Sequence, residues 1–400
     1  MTIGVAVLGS TGSVGVSTLE VLALHPERYR VAVLAARSNW SALLAQCQRF
    51  TPEWAALESL EAARELERAI RAQGIRTRVA GGADAIVQLA ADSQVDYVMA
   101  AISGAAGLRS TLAAASAGKR LLLANKESAV MAGTLLIRAL ESSGAELVPI
   151  DSEHNAIFQC LPPNYRAGRR SEGVRRLLLT ASGGPFLNWS AEAVAQATPA
   201  QACAHPRWNM GRKISVDSAT LMNKGLELIE ATVLFGMPAS EIEIVVHPQS
   251  IVHSMVEYVD GSVLAQMAAP DMRVPIAQAL AAPQRMAAGV EFLDLVHAGR
   301  LDFQAPDCAR FPCLRQAREA ALQGGLYCAS LNAADEVAVG AFLDKQLNFG
   351  DIPTVIDMVM DRVQGGAMTG LDAVLAADSE ARAFAREAVA RRAATLRVQA

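Results

Sequence analysis

The densest run of reactive side chains in the sequence is Asp151-Ser152-Glu153-His154-Asn155. Two carboxylates at i and i+2 of an extended chain lie on one face, and acids held that close repel unless a proton or cation sits between them. Carboxylate oxygens select hard ions such as Mg²⁺ or Mn²⁺. His154 invites a zinc reading, but no second histidine stands at ligand spacing, so it reads as a packing residue or a support for the acids. The same five residues also read as a helix N-terminus, with Asp or Ser capping and Glu153 near the positive end of the dipole. Both readings stay open at this point.

Two further clusters carry comparable promise. In Ser215-Val216-Asp217-Ser218-Ala219-Thr220-Leu221-Met222-Asn223-Lys224-Gly225-Leu226-Glu227 a loop runs into a helix that continues to Phe235. Asn223 and Glu227 share a helix face, with Lys224 beside them. With Ser218 they form a polar patch able to bind phosphate and to offer Glu227 as a third metal ligand; a surface Lys224–Glu227 ion pair is the simpler alternative. Thr180-Ala181-Ser182-Gly183-Gly184-Pro185-Phe186 ends a strand in hydroxyls and glycines, able to wrap an anion with backbone amides or to serve as a plain loop. His205-Pro206-Arg207-Trp208-Asn209-Met210-Gly211-Arg212-Lys213 sets Trp and Met among cations and turn residues without a periodic core face. A mobile lid needs that composition, although Trp208 and Met210 would also serve to pin a loop.

Near the start, Gly9-Ser10-Thr11-Gly12-Ser13-Val14-Gly15 lies between the apolar run Ile3–Leu8 and a helical stretch, Ser17–Leu24. The spacing is GxxGxxG. In that context the glycines allow a tight turn and close approach of a pyrophosphate to a helix N-terminus. Without a ligand it is simply a tight strand-to-helix turn. The next strand ends in Arg37-Ser38-Asn39 rather than in an acid that would accept a ribose hydroxyl. A guanidinium suits a 2′-phosphate, which favours NADP over NAD.

The elements that must position these groups follow from the rhythm of the chain. To about residue 150, β-branched runs alternate with Ala/Leu-rich stretches, as in βαβ units around a parallel sheet. Val31–Leu34, Tyr97–Ala100, Leu121–Ala124 and Leu147–Ile150 read as strands. The middle section mixes Gly/Ser/Pro loops with strands at Leu177–Leu179 and Glu243–Val246, an α+β pattern. Beyond about residue 310 helix formers dominate, at Arg315–Leu322, Ala333–Leu343 and Glu380–Leu396. The expected division is 1–150 for dinucleotide binding, 151–305 for catalysis, substrate, metal and dimerisation, and 306–400 for a helical C-terminal domain.

Composition narrows the class of function. A chain of 400 residues, 52% hydrophobic and 19% charged, can bury a large core in more than one domain. Its net charge of −4 and dispersed basic residues give no extended positive surface, so a nucleic-acid partner is not expected. No apolar run is long enough to span a bilayer, and no membrane association is expected. The six cysteines show no CxxC spacing and are expected to be reduced and mostly buried. The start on Ile3–Leu8, without a basic and apolar leader, suggests a bacterial-type cytoplasm.

Longer blocks carry a resemblance. GSTGSVG at 9–15, LANKES at 123–128, DSEHNAIFQ at 151–159, ASGGPF at 181–186, HPRWNMGRKISVDSATLMNKGLELIEA at 205–231 and HPQSIVHSMVEYVDGSVLAQM at 247–267 occur in this order. With them the chain resembles the 1-deoxy-D-xylulose 5-phosphate reductoisomerases essentially end to end. The resemblance implies an α/β homodimer with a Rossmann-like N-terminal NADPH domain, an α+β catalytic domain with a mobile lid, and a C-terminal helical domain. It implies that Thr11, Gly12, Ser13, Val14, Asn39, Asn125, Glu127 and Gly211 contact NADPH. Members often carry Gly-Lys-Asn where this chain has Arg37-Ser38-Asn39, so Arg37 and Ser38 join the cofactor set as stand-ins.

By the same resemblance Asp151, Glu153 and Glu227 hold Mg²⁺, Mn²⁺ or Co²⁺. Lys126, Ser152, Glu153, Ser182, His205, Trp208, Met210, Ser218, Asn223 and Lys224 meet the sugar phosphate, with Lys126, Glu153 and His205 catalytic. The implied reaction rearranges the carbon skeleton and reduces the resulting aldehyde to 2-C-methyl-D-erythritol 4-phosphate. A simple NADP-dependent dehydrogenase would need no third carboxylate. A dinucleotide-sensing module would bind cofactor but not oxidise it.

Overall fold

The computed structural model describes residues 2–206, 208 and 210–399, with side chains to residue 394. The chain packs into two compact units. The first comprises residues 1–128, 136–167 and 271–293, and the second 129–135, 168–270 and 294–400.

In the first unit, short apolar runs become seven strands: β1 (Ile3–Leu8), β2 (Tyr29–Ala36), β3 (Trp54–Leu57), β4 (Arg78–Gly81), β5 (Tyr97–Ala100), β6 (Arg120–Leu123) and β7 (Leu147–Pro149). They form one sheet in the order β4-β3-β2-β1-β5-β6-β7, every pairing parallel. A parallel sheet with helical crossovers is covered on both faces, which explains why β1 and the Val31–Ala36 part of β2 read as unbroken apolar runs instead of alternating. Strand order reverses beside β1, so the loops after β1 and β5 part at the carboxyl edge of the sheet, where open α/β folds bind ligands.

The core holds Val5, Val7, Leu34, Leu57, Met99, Leu122 and Val148 from the strands and Leu19 and Leu22 from the Ser13–Ala23 helix. It also includes Ile276, Ala277, Ala279 and Leu280 from the Arg273–Ala281 helix, which returns late in sequence. Polar contacts fasten that return: the Tyr29 hydroxyl donates to the Leu280 carbonyl at 3.0 Å, and Arg120 donates to the Ala282 carbonyl at 2.9 Å.

The second unit is built on β8 (Val174–Ala181), β9 (Ile242–Val246), β10 (Val252–Tyr258) and β11 (Val263–Met267). Their order is β11-β10-β8-β9, with β8 and β9 parallel and the other pairs antiparallel. The helices that follow residue 311, chiefly Pro312–Gln323, Tyr327–Leu343, Asp351–Met360 and Leu371–Gln399, complete the unit. The fold is therefore α/β, with a parallel N-terminal sheet, a second mixed sheet and a helical C-terminal region, as the sequence leads one to expect. No helix among the described residues is long and apolar enough to cross a membrane.

Candidate active site

The glycine-rich turn is a geometric necessity in this fold. Gly9 adopts φ +86°, and a Cβ on it would lie 2.4 Å from the Ala101 carbonyl oxygen. A Cβ on Gly15 would lie 2.3 Å from the Gly9 carbonyl oxygen and 2.5 Å from Ser10 Cα. Only hydrogen fits at either position. Gly12 occupies the N-cap of the Ser13–Ala23 helix, and no side chain caps that end. The first amides of the helix are thus left facing the carboxyl edge of the sheet, the arrangement that accepts a pyrophosphate. Thr11 is half-buried, while Gly12 and Ser13 are exposed and Val14 packs against the core.

Arg37, Ser38 and Asn39 follow β2 and are exposed at the same edge. Asn39 caps the Trp40–Phe50 helix, its side-chain oxygen accepting from the Ala42 amide at 3.2 Å. Asn125 is buried and committed to the protein. Its side-chain oxygen accepts from the Ser128 amide at 2.7 Å, and its amide group donates to the carbonyls of Gly104, at 3.0 Å, and Ile102. Asn125 therefore ties the loop after β5 to the end of β6. Glu127, two residues on, is also buried.

Asp151 to Asn155 is not an extended strand. The Ser152–Cys160 helix begins there with Asp151 in the N-cap position, so the same-face argument for Asp151 and Glu153 is replaced by helical geometry. Yet the Asp151 carboxylate makes no capping bond. It pairs instead with Lys126 Nζ at 2.5 Å, both side chains only 13% exposed. Ser152 Oγ donates to the Glu153 carboxylate. His154 is fully buried, with a ring nitrogen within 4.8 Å of an Asp151 oxygen. Asn155 is pinned by the Pro149 carbonyl and Gln278 at 2.9 and 2.8 Å, which fixes this helix to the end of β7.

In the second unit the loop after β8 carries Ser182, whose Oγ lies 2.9 Å from His205 Nε2. The other ring nitrogen of His205 accepts from the Trp208 amide at 2.9 Å, so that histidine donates from Nε2 to the serine. The Trp208 ring lies 6.2 Å from that of His253. Trp208 and Met210 are half-buried; Arg207 and Asn209, within the expected lid, lie outside the described residues.

The expected loop at 215–221 is helical. One helix spans Arg212–Thr220, with exposed Gly211 as its N-cap, Leu221 adopts a left-handed φ of +60°, and a second helix spans Met222–Phe235. The break at Leu221 turns Ser218 and the Asn223–Glu227 face into separately aimed groups. A Cβ on Gly184 would lie 2.6 Å from the Ser218 carbonyl oxygen, so only glycine lets the Ser182 loop approach that helix. Asn223 and Lys224 both donate to the Glu227 carboxylate. The Lys224–Glu227 pair is no surface ion pair: the side chains are 4% and 1% exposed.

Sequence reading missed a neighbouring cluster. Lys213 bonds the carboxylates of Asp217 at 2.7 Å and Asp335 at 2.8 Å. The i,i+4 spacing of Lys213 and Asp217 was the available signal; Asp335 carries none.

Family models describe three consecutive stretches of the chain: 1-deoxy-D-xylulose 5-phosphate reductoisomerase over residues 5–133, its C-terminal domain over 147–235, and a DXP reductoisomerase C-terminal domain over 267–384. The 1-deoxy-D-xylulose 5-phosphate reductoisomerase of Cellvibrio japonicus is 56% identical over 97% of this chain and 98% of its own length. The enzyme of that name from Pseudomonas paraeruginosa is 57% identical over 95% and 96%.

A crystal structure of DOX-P reductoisomerase in complex with NADPH, fosmidomycin and magnesium matches with a TM-score of 0.92 and 45% identity, covering 97% of this chain and 98% of that one. The Zymomonas mobilis enzyme in complex with NADPH matches with a TM-score of 0.89 and 46% identity, covering 97% and 98%. With identity of this level sustained along nearly the full length, the chain belongs to the 1-deoxy-D-xylulose 5-phosphate reductoisomerase family.

Proposed function

We propose that this enzyme isomerises and reduces 1-deoxy-D-xylulose 5-phosphate to 2-C-methyl-D-erythritol 4-phosphate, a step of the non-mevalonate isoprenoid pathway, with NADPH and a divalent cation. The observation that carries the reading is 56% identity to an enzyme of that name across 97% of the chain. When bound, NADPH supplies the hydride and the cation polarises the substrate's ketone.

Residues 1–150 bind the dinucleotide, 151–305 carry the substrate and metal groups, and 306–400 form the helical C-terminal domain. Thr11, Gly12, Ser13 and Val14 present helix-terminal amides to the pyrophosphate, and Arg37, Ser38 and Asn39 receive the 2′-phosphate end. The glycine constraints at Gly9 and Gly15 and the uncapped helix support this fit. Asn125, Glu127 and Gly211 complete the cofactor set. Asn125 acts there by shaping the loop, since its own polar atoms are engaged.

Asp151, Glu153 and Glu227 hold the cation. Two of these acids already stand against an ammonium group, Asp151 against Lys126 and Glu227 against Lys224, so each environment tolerates a positive neighbour. Their oxygen donors suit Mg²⁺ or Mn²⁺ better than a soft metal.

Lys126 and Glu153 handle protons on the sugar, and Ser152 orients Glu153. Ser182, His205, Ser218, Asn223 and Lys224 hold the phosphate, with the His205 proton directed to the serine by the Trp208 amide. Trp208 and Met210 cover the substrate and exclude water. Phosphate binding remote from the reacting carbons then supplies closure energy, so losing those contacts lowers turnover as well as affinity.

A homodimer is proposed as the working form. β11 supports it as an edge strand with Val263, Leu264 and Met267 exposed, a combination that monomers usually avoid. A cytoplasmic location is proposed with it, consistent with a phosphorylated substrate and cofactor.

The test follows NADPH absorbance with 1-deoxy-D-xylulose 5-phosphate, with and without Mg²⁺ or Mn²⁺, and identifies the product. Metal-dependent NADPH oxidation yielding the branched tetrol phosphate is expected. Metal-independent oxidation to an unbranched product would make the enzyme a simple dehydrogenase.

A further inference from the structure

From the Lys213–Asp217–Asp335 triad we infer that Asp335, on the C-terminal helix Tyr327–Leu343, is a positioning residue for the substrate's phosphate site. The inference rests on the phosphate-binding role proposed above for Ser218, Asn223 and Lys224. The triad lies at the point where the proposed lid segment enters the Arg212–Thr220 helix, and Lys213 bridges it, at 2.7 Å to Asp217 and 2.8 Å to Asp335. Both carboxylates are essentially buried, at 2% and 0% side-chain exposure, whereas Lys213 retains 28%.

Two buried carboxylates on one ammonium are a costly way to hold helices together, since apolar packing of similar volume would do as well or better. What ions provide is one defined position. The Arg212–Thr220 helix buries Val216 and Ala219 together with the polar Ser215, Asp217 and Thr220, so the ionic bridge adds a fixed register to mixed apolar and polar packing. Its position matters because Ser218 sits next to Asp217 and its carbonyl faces Gly184 across a gap that leaves no room for a methyl group. A shift of about an ångström there would move Ser218 against the Ser182 loop, and misplacements of that size can cost up to about a hundredfold in rate. Asp335 thus connects the C-terminal helices to the phosphate site through Lys213 without itself touching substrate.

The experiment compares the full-length wild type with Asp335→Asn and Asp335→Glu. It measures KM for 1-deoxy-D-xylulose 5-phosphate, kcat, NADPH affinity by fluorescence titration, and thermal midpoint. Asp335→Asn keeps the shape and removes the charge. We expect it to raise substrate KM about tenfold and lower kcat, with NADPH affinity changed less than substrate KM, since of the proposed cofactor residues only Gly211 adjoins this helix. Asp335→Glu restores the charge and is expected to bring KM to within about threefold of wild type.

An Asp335→Asn protein with wild-type KM and kcat but a lower midpoint would show that the triad is only structural and would overturn the inference. So would an Asp335→Glu protein as impaired as Asp335→Asn. Should Asp335→Asn not fold, hydrogen exchange on the wild type decides: amides of Val216–Thr220 must exchange as slowly as those of Ala329–Ala338, and faster exchange refutes the anchor. Wild-type protein that does not turn over the substrate would sink the functional reading itself, whereas normal wild-type turnover with indifferent variants sinks the positioning role alone.

Discussion

At the scale of single residues, the decisive feature is how buried charge is compensated. Lys224 and Glu227 are a desolvated pair, and breaking one usually costs about 3–5 kcal/mol because the remaining charge stays buried. Lys224→Ala is therefore expected to lower both the thermal midpoint and phosphate affinity. Saturating Mg²⁺ should restore part of the midpoint, since a cation bound at Glu227 takes over the lost ammonium's electrostatic role. Calorimetry with and without Mg²⁺ checks this, and a midpoint indifferent to Mg²⁺ counts against Glu227 as a ligand. Glu227→Gln should in turn lower kcat by about a hundredfold or more, the scale of losing one electrostatic stabiliser of developing oxyanion charge.

The thiols give a prediction with a pH sign. Burial pushes Cys47 and Cys328 up to about 12 and Cys160 to about 11, while burial, with the Asp335 and Asp217 charges adding, also pushes Cys313 up. In the unfolded chain these groups ionise near pH 8.5. A raised folded-state value means that their contribution to stability is complete below that pH and is lost as pH rises towards 11 to 12. The thermal midpoint should fall across this alkaline window, with a shallower fall in Cys47→Ala. Alkylation at pH 8 followed by mass spectrometry should label exposed Cys308 well before the four buried thiols.

At the scale of elements, local signals carried a long way. β1 and β5 fall on their apolar runs to the residue, because a strand buried on both faces needs continuous apolar sequence. β3 and β4 gave too little signal: Trp54–Leu57 has two alanines and Arg78–Gly81 ends in glycine, so pairing with neighbours supplies what propensity does not. The helix over Arg212–Thr220 was hidden because Ser215, Asp217, Ser218 and Thr220 are weak helix formers, held here by tertiary contacts. Asp151 shows the opposite case, a residue typical of N-caps that sits at one without capping it, its carboxylate turned to Lys126.

The Met222–Phe235 helix adds a testable element-scale constraint. A Cβ on Gly225 would lie 2.4 Å from Ala317 Cβ on the Pro312–Gln323 helix. Gly225→Ala should destabilise by about 1–3 kcal/mol through overpacking and displace the face bearing Asn223, Lys224 and Glu227. Adding Ala317→Gly removes the colliding methyl and should recover most of the midpoint and of KM. A double variant no better than the single one would mean that the helix is not seated by this contact.

At the scale of the molecule, the sequence showed the sheet but not the path of the chain. Residues 271–293 return to the first unit after a long excursion, held by apolar contacts of Ile276–Leu280 and by Tyr29 and Arg120, and no local pattern announces such a partner. The same limit applies to Asp335, far in sequence from the lysine it binds.

Association is the remaining whole-molecule question, and β11 gives it a definite test. Val263, Leu264 and Met267 are 46%, 49% and 39% exposed on an edge strand, while β10 is nearly all buried. Edge strands left open to water are commonly protected by charge, since unpaired backbone groups beside apolar side chains invite another strand. If two copies pair through this edge, Leu264→Lys puts a charge on each side of the junction and like charges must meet or be desolvated. Sedimentation should then show a dimer for the wild type and a monomer for Leu264→Lys, with NADPH affinity retained because the glycine turn belongs to the other unit. Dimers of unchanged stability in the variant would place the interface elsewhere.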